Sequence, residues 1–139
     1  MKKVAIAFSL IGLVIFVLAC GSTEVGSGTV IKSASAGNNL TVSLATSDGV
    51  LKQGNTQFIL SFTDSSGQPV DVGAVALTFH MPQMGTMPVM NNPATFTTTD
   101  TPGVYRGKAS IEMAGEWQAQ ITYDGPAGRG QVSFPVNAR

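Results

Sequence analysis

The sequence predicts an all-β protein, an antiparallel β-sandwich of about seven strands. From residue 40 onward the chain consists of short segments in which apolar and polar residues alternate, as in strands with one buried face. Turn residues such as Gly, Asp, Ser and Pro separate these segments at intervals of roughly ten residues. No segment of this region has the periodicity of a helix. These observations together favour a small sandwich that is immunoglobulin-like in the broad sense.

Each predicted strand rests on its own pattern. The first shows alternation most clearly, because Leu40, Val42 and Leu44 share one face. In the third, an inward Phe79 directs His80 outward. The sixth contains Trp117, which we expect at the centre of the core. The seven predicted strands span residues 40–46, 57–62, 74–80, 95–99, 103–111, 116–123 and 130–136.

The N-terminal residues have the features of a bacterial lipoprotein signal peptide. Lys2 and Lys3 precede an apolar stretch at 4–18, and Cys20 follows Val-Leu-Ala in a pattern that resembles a lipobox. The stretch of about 15 residues is shorter than the roughly 20 that a membrane-spanning helix needs. We therefore expect cleavage of residues 1–19 and lipid attachment to Cys20. Residues 20–39, rich in Gly, Ser, Thr and Ala, are predicted to be a flexible linker, and residues 40–139 the folded domain.

These features predict a place in the cell and exclude one class of partner. Several acyl chains on Cys20 would anchor the protein to the bacterial cell envelope. Gly21, where Asp would favour the inner membrane, favours the periplasmic side of the outer membrane in a Gram-negative cell. In a Gram-positive cell the site is the outer face of the cell membrane. Without Lys2 and Lys3, six Lys and Arg remain against eight Asp and Glu, which argues against a nucleic-acid partner.

Four of the six methionines lie within ten residues, at a spacing of three. They are Met81, Met84, Met87 and Met90, and His80, the only histidine, directly precedes them. Thioethers are soft neutral ligands that need no deprotonation, and with an imidazole they suit Cu(I) better than hard ions or Zn(II). Interrupting Pro and Gly residues predict a loop or strand end rather than a helix.

Other interpretations of these residues stay open at this point. Methionine is a common filler of cores, and Met81 is the one of the four expected to point inward. His80 could be an ordinary solvated side chain, and Met113 could cap the core instead of binding metal. An enzyme is not expected, because one histidine and scattered turn carboxylates offer no arrangement for acid–base or nucleophilic catalysis.

Several ordered motifs resemble the YtkA-like/FixH-like domain. They are Gly-Asn-Thr-Gln-Phe at 54–58, Asp-Ser-Ser-Gly-Gln-Pro-Val at 64–70, Met-Pro-Gln-Met-Gly at 81–85, Gly-Val-Tyr at 103–105 and Met-Ala-Gly-Glu-Trp at 113–117. The resemblance covers about residues 40–137. It implies a small exported β-sandwich associated with copper delivery during cytochrome oxidase assembly, or with heavy-metal efflux proteins.

The resemblance and the residue chemistry together define the expected site. By position, Met81, Met84 and Met113 match the two methionine motifs of the family, whereas Met87, Met90 and His80 rest on their ligand chemistry alone. We expect Cu(I) bound for delivery or resistance. The alternative is a metal-free interaction module in which the methionines form an adaptable docking surface.

Overall fold

Residues 28–139 are described by a computed structural model, and nine β-strands run through them. The predicted signal peptide at 1–19 and the lipidation site Cys20 lie outside the described residues. No helix capable of spanning a membrane is present between residues 28 and 139. The strands are β1 (Thr29–Gly37), β2 (Leu40–Thr46), β3 (Gly54–Thr63), β4 (Ala74–Met81), β5 (Met90–Pro93), β6 (Thr95–Thr98), β7 (Val104–Ile111), β8 (Gly115–Gly125) and β9 (Gly128–Ala138).

The strands form two antiparallel sheets that enclose one core. The five-stranded sheet has the order β1-β2-β3-β7-β6, and the four-stranded sheet has the order β5-β4-β8-β9. Apart from β1, this is the arrangement in which immunoglobulin-like domains place strands A-B-E-D on one sheet and C′-C-F-G on the other. The predicted fold class is therefore confirmed, with nine strands in place of about seven.

Strand β1 corrects the predicted boundary between linker and domain. Residues 29–37 lie within the segment 20–39 that was expected to be a flexible linker, yet they pair with β2 over its full length. Asn38 and Asn39, both at positive φ (52° and 58°), form the two-residue connection that joins them. Positive φ at both positions is the requirement of a type I′ hairpin turn, which Asn tolerates. The pairing depends on main-chain hydrogen bonds and turn geometry. Because β1 is mostly polar, its sequence lacks the hydrophobic alternation from which a strand is predicted.

The core forms where the inner faces of the two sheets meet. The alternation predicted for β2 is confirmed, since Leu40, Val42 and Leu44 are all buried, and Trp117 is fully buried as expected. The ring of Phe58 packs edge-to-face against Phe79 across the sandwich, with ring centroids 5.8 Å apart. Such aromatic pairs add about 0.5–1.5 kcal/mol beyond the burial of their area.

Hydroxyl and amide groups connect the open sides of the sandwich. Tyr123 Oη donates to the buried carbonyl of Ala36, at 2.7 Å, and so ties β8 to the edge strand β1. On the opposite side, the chain leaves β5 and crosses to the other sheet as β6. At this crossing the backbone N–H of Ala94 donates to the carbonyl of Leu77, at 2.9 Å. The hairpin formed by β4 and β5 is thereby fixed at one edge of the four-stranded sheet.

Candidate metal site

The clustered methionines lie on one hairpin, which we call the methionine hairpin and define as residues 81–90. Its base is the paired positions Met81 and Met90, at the ends of β4 and β5. Its tip is a second pair, Met84 and Met87, whose backbones exchange two hydrogen bonds of 3.3 and 2.9 Å. Gly85, with a φ of 58°, is the first residue of the two-residue turn between them. Glycine at this position is the signature of a type II′ turn.

The tip brings two thioether side chains together on the outside of the protein. Residues that exchange both main-chain hydrogen bonds are directly opposite each other, so their side chains share one face, with Cβ atoms about 4.5–5.5 Å apart. Met84 is 54% exposed and Met87 is half-buried. Such a pair can donate two soft sulfur ligands to one ion from solvent without disturbing the core.

The base of the hairpin packs into the sandwich. Met81 is 1% exposed, which confirms the expectation that it is the core methionine of the group. Its Cε lies only 3.4 Å from where a Cβ on Gly115 would stand, so it fills space at the start of β8. Met90 is half-buried and packs against the core cluster. A metal at the base would have to draw the Met81 sulfur out of the core.

His80 lies on β4, directly opposite Asn91 on β5. Its Nδ1 is 2.7 Å from Asn91 Oδ1, and the ring is half-buried. With the amide oxygen as acceptor, Nδ1 carries the hydrogen and Nε2 keeps a free lone pair. Histidine ligands are usually oriented by such a bond from the second ring nitrogen. Four residue steps separate His80 from Met84, so their Cα atoms are at most about 14 Å apart.

Met113 lies in the connection between β7 and β8. It is half-buried and packs against the core, and its carbonyl accepts a 3.0 Å hydrogen bond from Trp117 Nε1. The neighbouring Glu112 exchanges two hydrogen bonds with Asn92 of β5, at 3.0 and 3.3 Å. These bonds place the Met113 connection at the same end of the sandwich as the hairpin base. The candidates thus divide into a tip pair, Met84 and Met87, which lies outside the core cluster, and a set at the base that packs in or against that cluster.

Among residues 28–139, no group of three or more His, Cys, Asp or Glu side chains could hold a metal ion. The candidate ligands in this part of the chain remain the five methionine sulfurs and His80. Sequence reasoning identified these residues but missed the Gly85 turn and the Asn91 partner of His80. The signal that could have predicted the turn is Gly85, which lies between Met84 and Met87. Asn91 could be identified as the partner of His80 only from the pairing of β4 with β5.

The fold and the hairpin together define a class of protein, an immunoglobulin-like sandwich with a methionine-bearing hairpin between its C and C′ strands. A family model described as YtkA-like matches residues 34–122, more than half of the chain. The protein belongs to the YtkA-like family, and the matched region contains the whole methionine hairpin and Met113. No curated protein and no solved structure gave a match.

Proposed function

We propose that this protein is an exported, lipid-anchored lipoprotein that binds Cu(I) as cargo at the methionine hairpin. It would carry the ion for cytochrome oxidase assembly or for metal resistance. The observation that carries the proposal is the main-chain pairing of Met84 with Met87, which aligns two thioethers on one exposed face. Family membership supports the proposal without identifying the ligands.

In this proposal Met84 and Met87 are the primary ligands and His80 supplies a third through Nε2. The His80–Asn91 hydrogen bond supports this role, because it orients the ring and, in the neutral imidazole with the hydrogen on Nδ1, Nε2 is the nitrogen available to a metal. Met90 and Met113, at the base, are additional candidate ligands. Met81 could bind the ion only if its side chain left the core. Neutral thioethers hold Cu(I) without a compensating charge, so exchange with a partner that offers stronger ligands is feasible.

The exposure of the tip suits handover of the ion. Met84 is 54% exposed, so an incoming ligand would be able to reach a bound ion before the first sulfur leaves. With β1 part of the folded domain, only residues 20–28 remain between the proposed lipid anchor and the first strand. Nine extended residues span at most about 30 Å, so the tether would hold the domain close to the membrane.

The decisive experiment is an anaerobic Cu(I) competition titration of the full-length protein in detergent. The variant Met84→Leu/Met87→Leu removes both tip sulfurs and keeps apolar side chains of similar volume. The matched control Met81→Leu/Met113→Leu removes the same number of sulfurs from the base. We expect one Cu(I) per chain for the parent and the control, and loss of binding in the tip variant. Binding that persists in the tip variant, or no binding by the parent, would refute the site.

A second candidate function is a metal-free docking module. The observation that favours it is the exposed apolar surface of the hairpin, where Met84 is 54% and Val89 is 48% exposed. Both proline residues of the hairpin, Pro82 and Pro88, are also exposed. This candidate predicts that the parent binds no copper and that Met84→Leu/Met87→Leu replaces the parent in the cell without loss of function.

A further inference from the structure

The outer face of the five-stranded sheet carries a groove that the proposed copper function does not use. It has a volume of about 800 Å³ and runs across β2, β3, β7 and β6. This volume is within the range of small-molecule sites, about 300–1,000 Å³. The Thr98–Thr101 turn after β6 and Pro69, in the loop after β3, also line it. The groove belongs to the opposite sheet from the methionine hairpin.

Two cationic side chains, Arg106 and Lys108, lie in this groove. They are two residues apart on β7 and both exposed, while Tyr105, Gly107 and Ala109 are buried, so the two cations share the outer face. Their Cα atoms are about 6.8 Å apart, close enough for both side chains to reach one small anion.

Neither cation is in an ion pair within residues 28–139. The two ion pairs of the described residues join Lys52 to Asp48 and Arg129 to Asp124, so neither involves Arg106 or Lys108. Asp100 is the one carboxylate in the groove lining, and it forms no salt bridge there. With Arg106, Lys108 and Asp100, the groove lining has a formal net charge of +1, and its two cations lie side by side on β7.

The rest of the lining includes several hydrogen-bonding side chains. Thr97 pairs with Arg106, and Gln57 pairs with Lys108, so each cation has a polar neighbour on the next strand.

We propose that this groove binds a phosphate group, with Arg106 and Lys108 as its charged contacts. Arginine offers paired N–H donors to two phosphate oxygens and lysine a point charge, and charge-assisted bonds of this kind are among the strongest in proteins. The phosphate could belong to a soluble monoester or to the phosphodiester of a lipid headgroup. Both sources present the same anionic oxygens to the groove.

The test is a titration followed by amide chemical shifts of the full-length protein in maltoside detergent at low ionic strength. Two probes distinguish the sources. Glycerol 1-phosphate represents a soluble monoester, and glycerophosphoglycerol represents a lipid headgroup without its acyl chains. The variant Arg106→Gln/Lys108→Gln removes both charges, and Lys32→Gln/Lys52→Gln is a control with the same change in net charge.

We expect shifts at Gln57, Thr97, Arg106 and Lys108, and an apparent Kd that rises about tenfold or more in the groove variant but not in the control. Binding of the monoester alone assigns a soluble ligand, and binding of the diester assigns a headgroup. No shift with either probe would overturn the proposal, as would shifts located elsewhere or an equal loss in the control. Retained thermal unfolding of both variants verifies that each is folded.

Discussion

The substitution Gly85→Ala tests whether the turn of the methionine hairpin preorganises the proposed metal site. It leaves every sulfur and His80 in place and alters only the backbone preference at the tip. A Cβ at Gly85 would meet no atom within 4 Å, so the substitution introduces no clash. Its cost lies in the φ of 58°, which an alanine rarely adopts.

The size of the effect follows from this strain. A non-glycine residue held in a sparsely populated backbone region costs about 1–3 kcal/mol. In the free protein the tip can relieve the strain by opening the Met84–Met87 pair, whose only main-chain support is two hydrogen bonds. Copper would then bind the minority of molecules with a closed tip. The apparent Kd should rise by up to the corresponding factor, about 5 to 150.

Gly67→Ala is the matched control. Gly67 also has a positive φ, 81°, and a Cβ there would also meet no atom within 4 Å, but it lies in the turn after β3. The assays are Cu(I) competition and hydrogen exchange of the Met87 amide, which donates to the Met84 carbonyl. Only Gly85→Ala should weaken copper binding and accelerate this exchange. Equal Kd values for Gly85→Ala and the parent, with unchanged exchange, would refute the argument.

Two further predictions concern the stability and titration of the sandwich. A Cβ at Gly107 would lie 2.3 Å from the Phe58 ring. Gly107→Ala should therefore lower the free energy of unfolding, measured by urea denaturation, by about 1–3 kcal/mol. The control Ser110→Ala, at an exposed position of the same strand, should change this free energy by no more than about 0.5 kcal/mol. An unchanged midpoint for Gly107→Ala would contradict this packing. Burial and the negative charge of Asp71 raise the pKa of Tyr105 above its ordinary value of 10.0. The neutral phenol thus stabilises the fold fully below pH 10, and this contribution is lost as pH rises through the folded-state pKa. An ultraviolet or NMR titration should show this late ionisation, and Asp71→Asn should shift it toward lower pH; ionisation at or below the ordinary pKa would contradict it.

Most strands could be predicted because their information is local. The strands β2, β3, β4, β7, β8 and β9 each bury one face, so hydrophobic alternation records their position in the sequence itself. The short edge strand β6 was also recognised, from its threonines. Alternation also predicted that Met81 is buried, and the likeness to immunoglobulin-like sandwiches predicted Trp117 in the core; the structure confirms both.

The two missed strands are edge strands with little alternation. β1 contributes one well-buried apolar side chain, Ala36, and gains its position from pairing with β2. β5 is four residues long and contains two asparagines, and it is ordered by its pairing with β4. Edge pairing of this kind depends on main-chain bonds to a distant segment, which leave no hydrophobic period to detect.

The sequence alone determined the all-β class, the faces of the core and the set of candidate ligands, since these depend on residue type and period. Only the tertiary structure decided which candidate ligands lie at the tip of the hairpin and which pack at its base. The pairing of β4 with β5 and the turn at Gly85 put Met84 and Met87 side by side at the tip of the hairpin, whereas Met81 is buried in the core near the start of β8. The spacing of three residues between the methionines does not by itself show which methionine faces which across the hairpin. Partners are set by strand register, and register is decided by the turn and by the packing of the whole sheet.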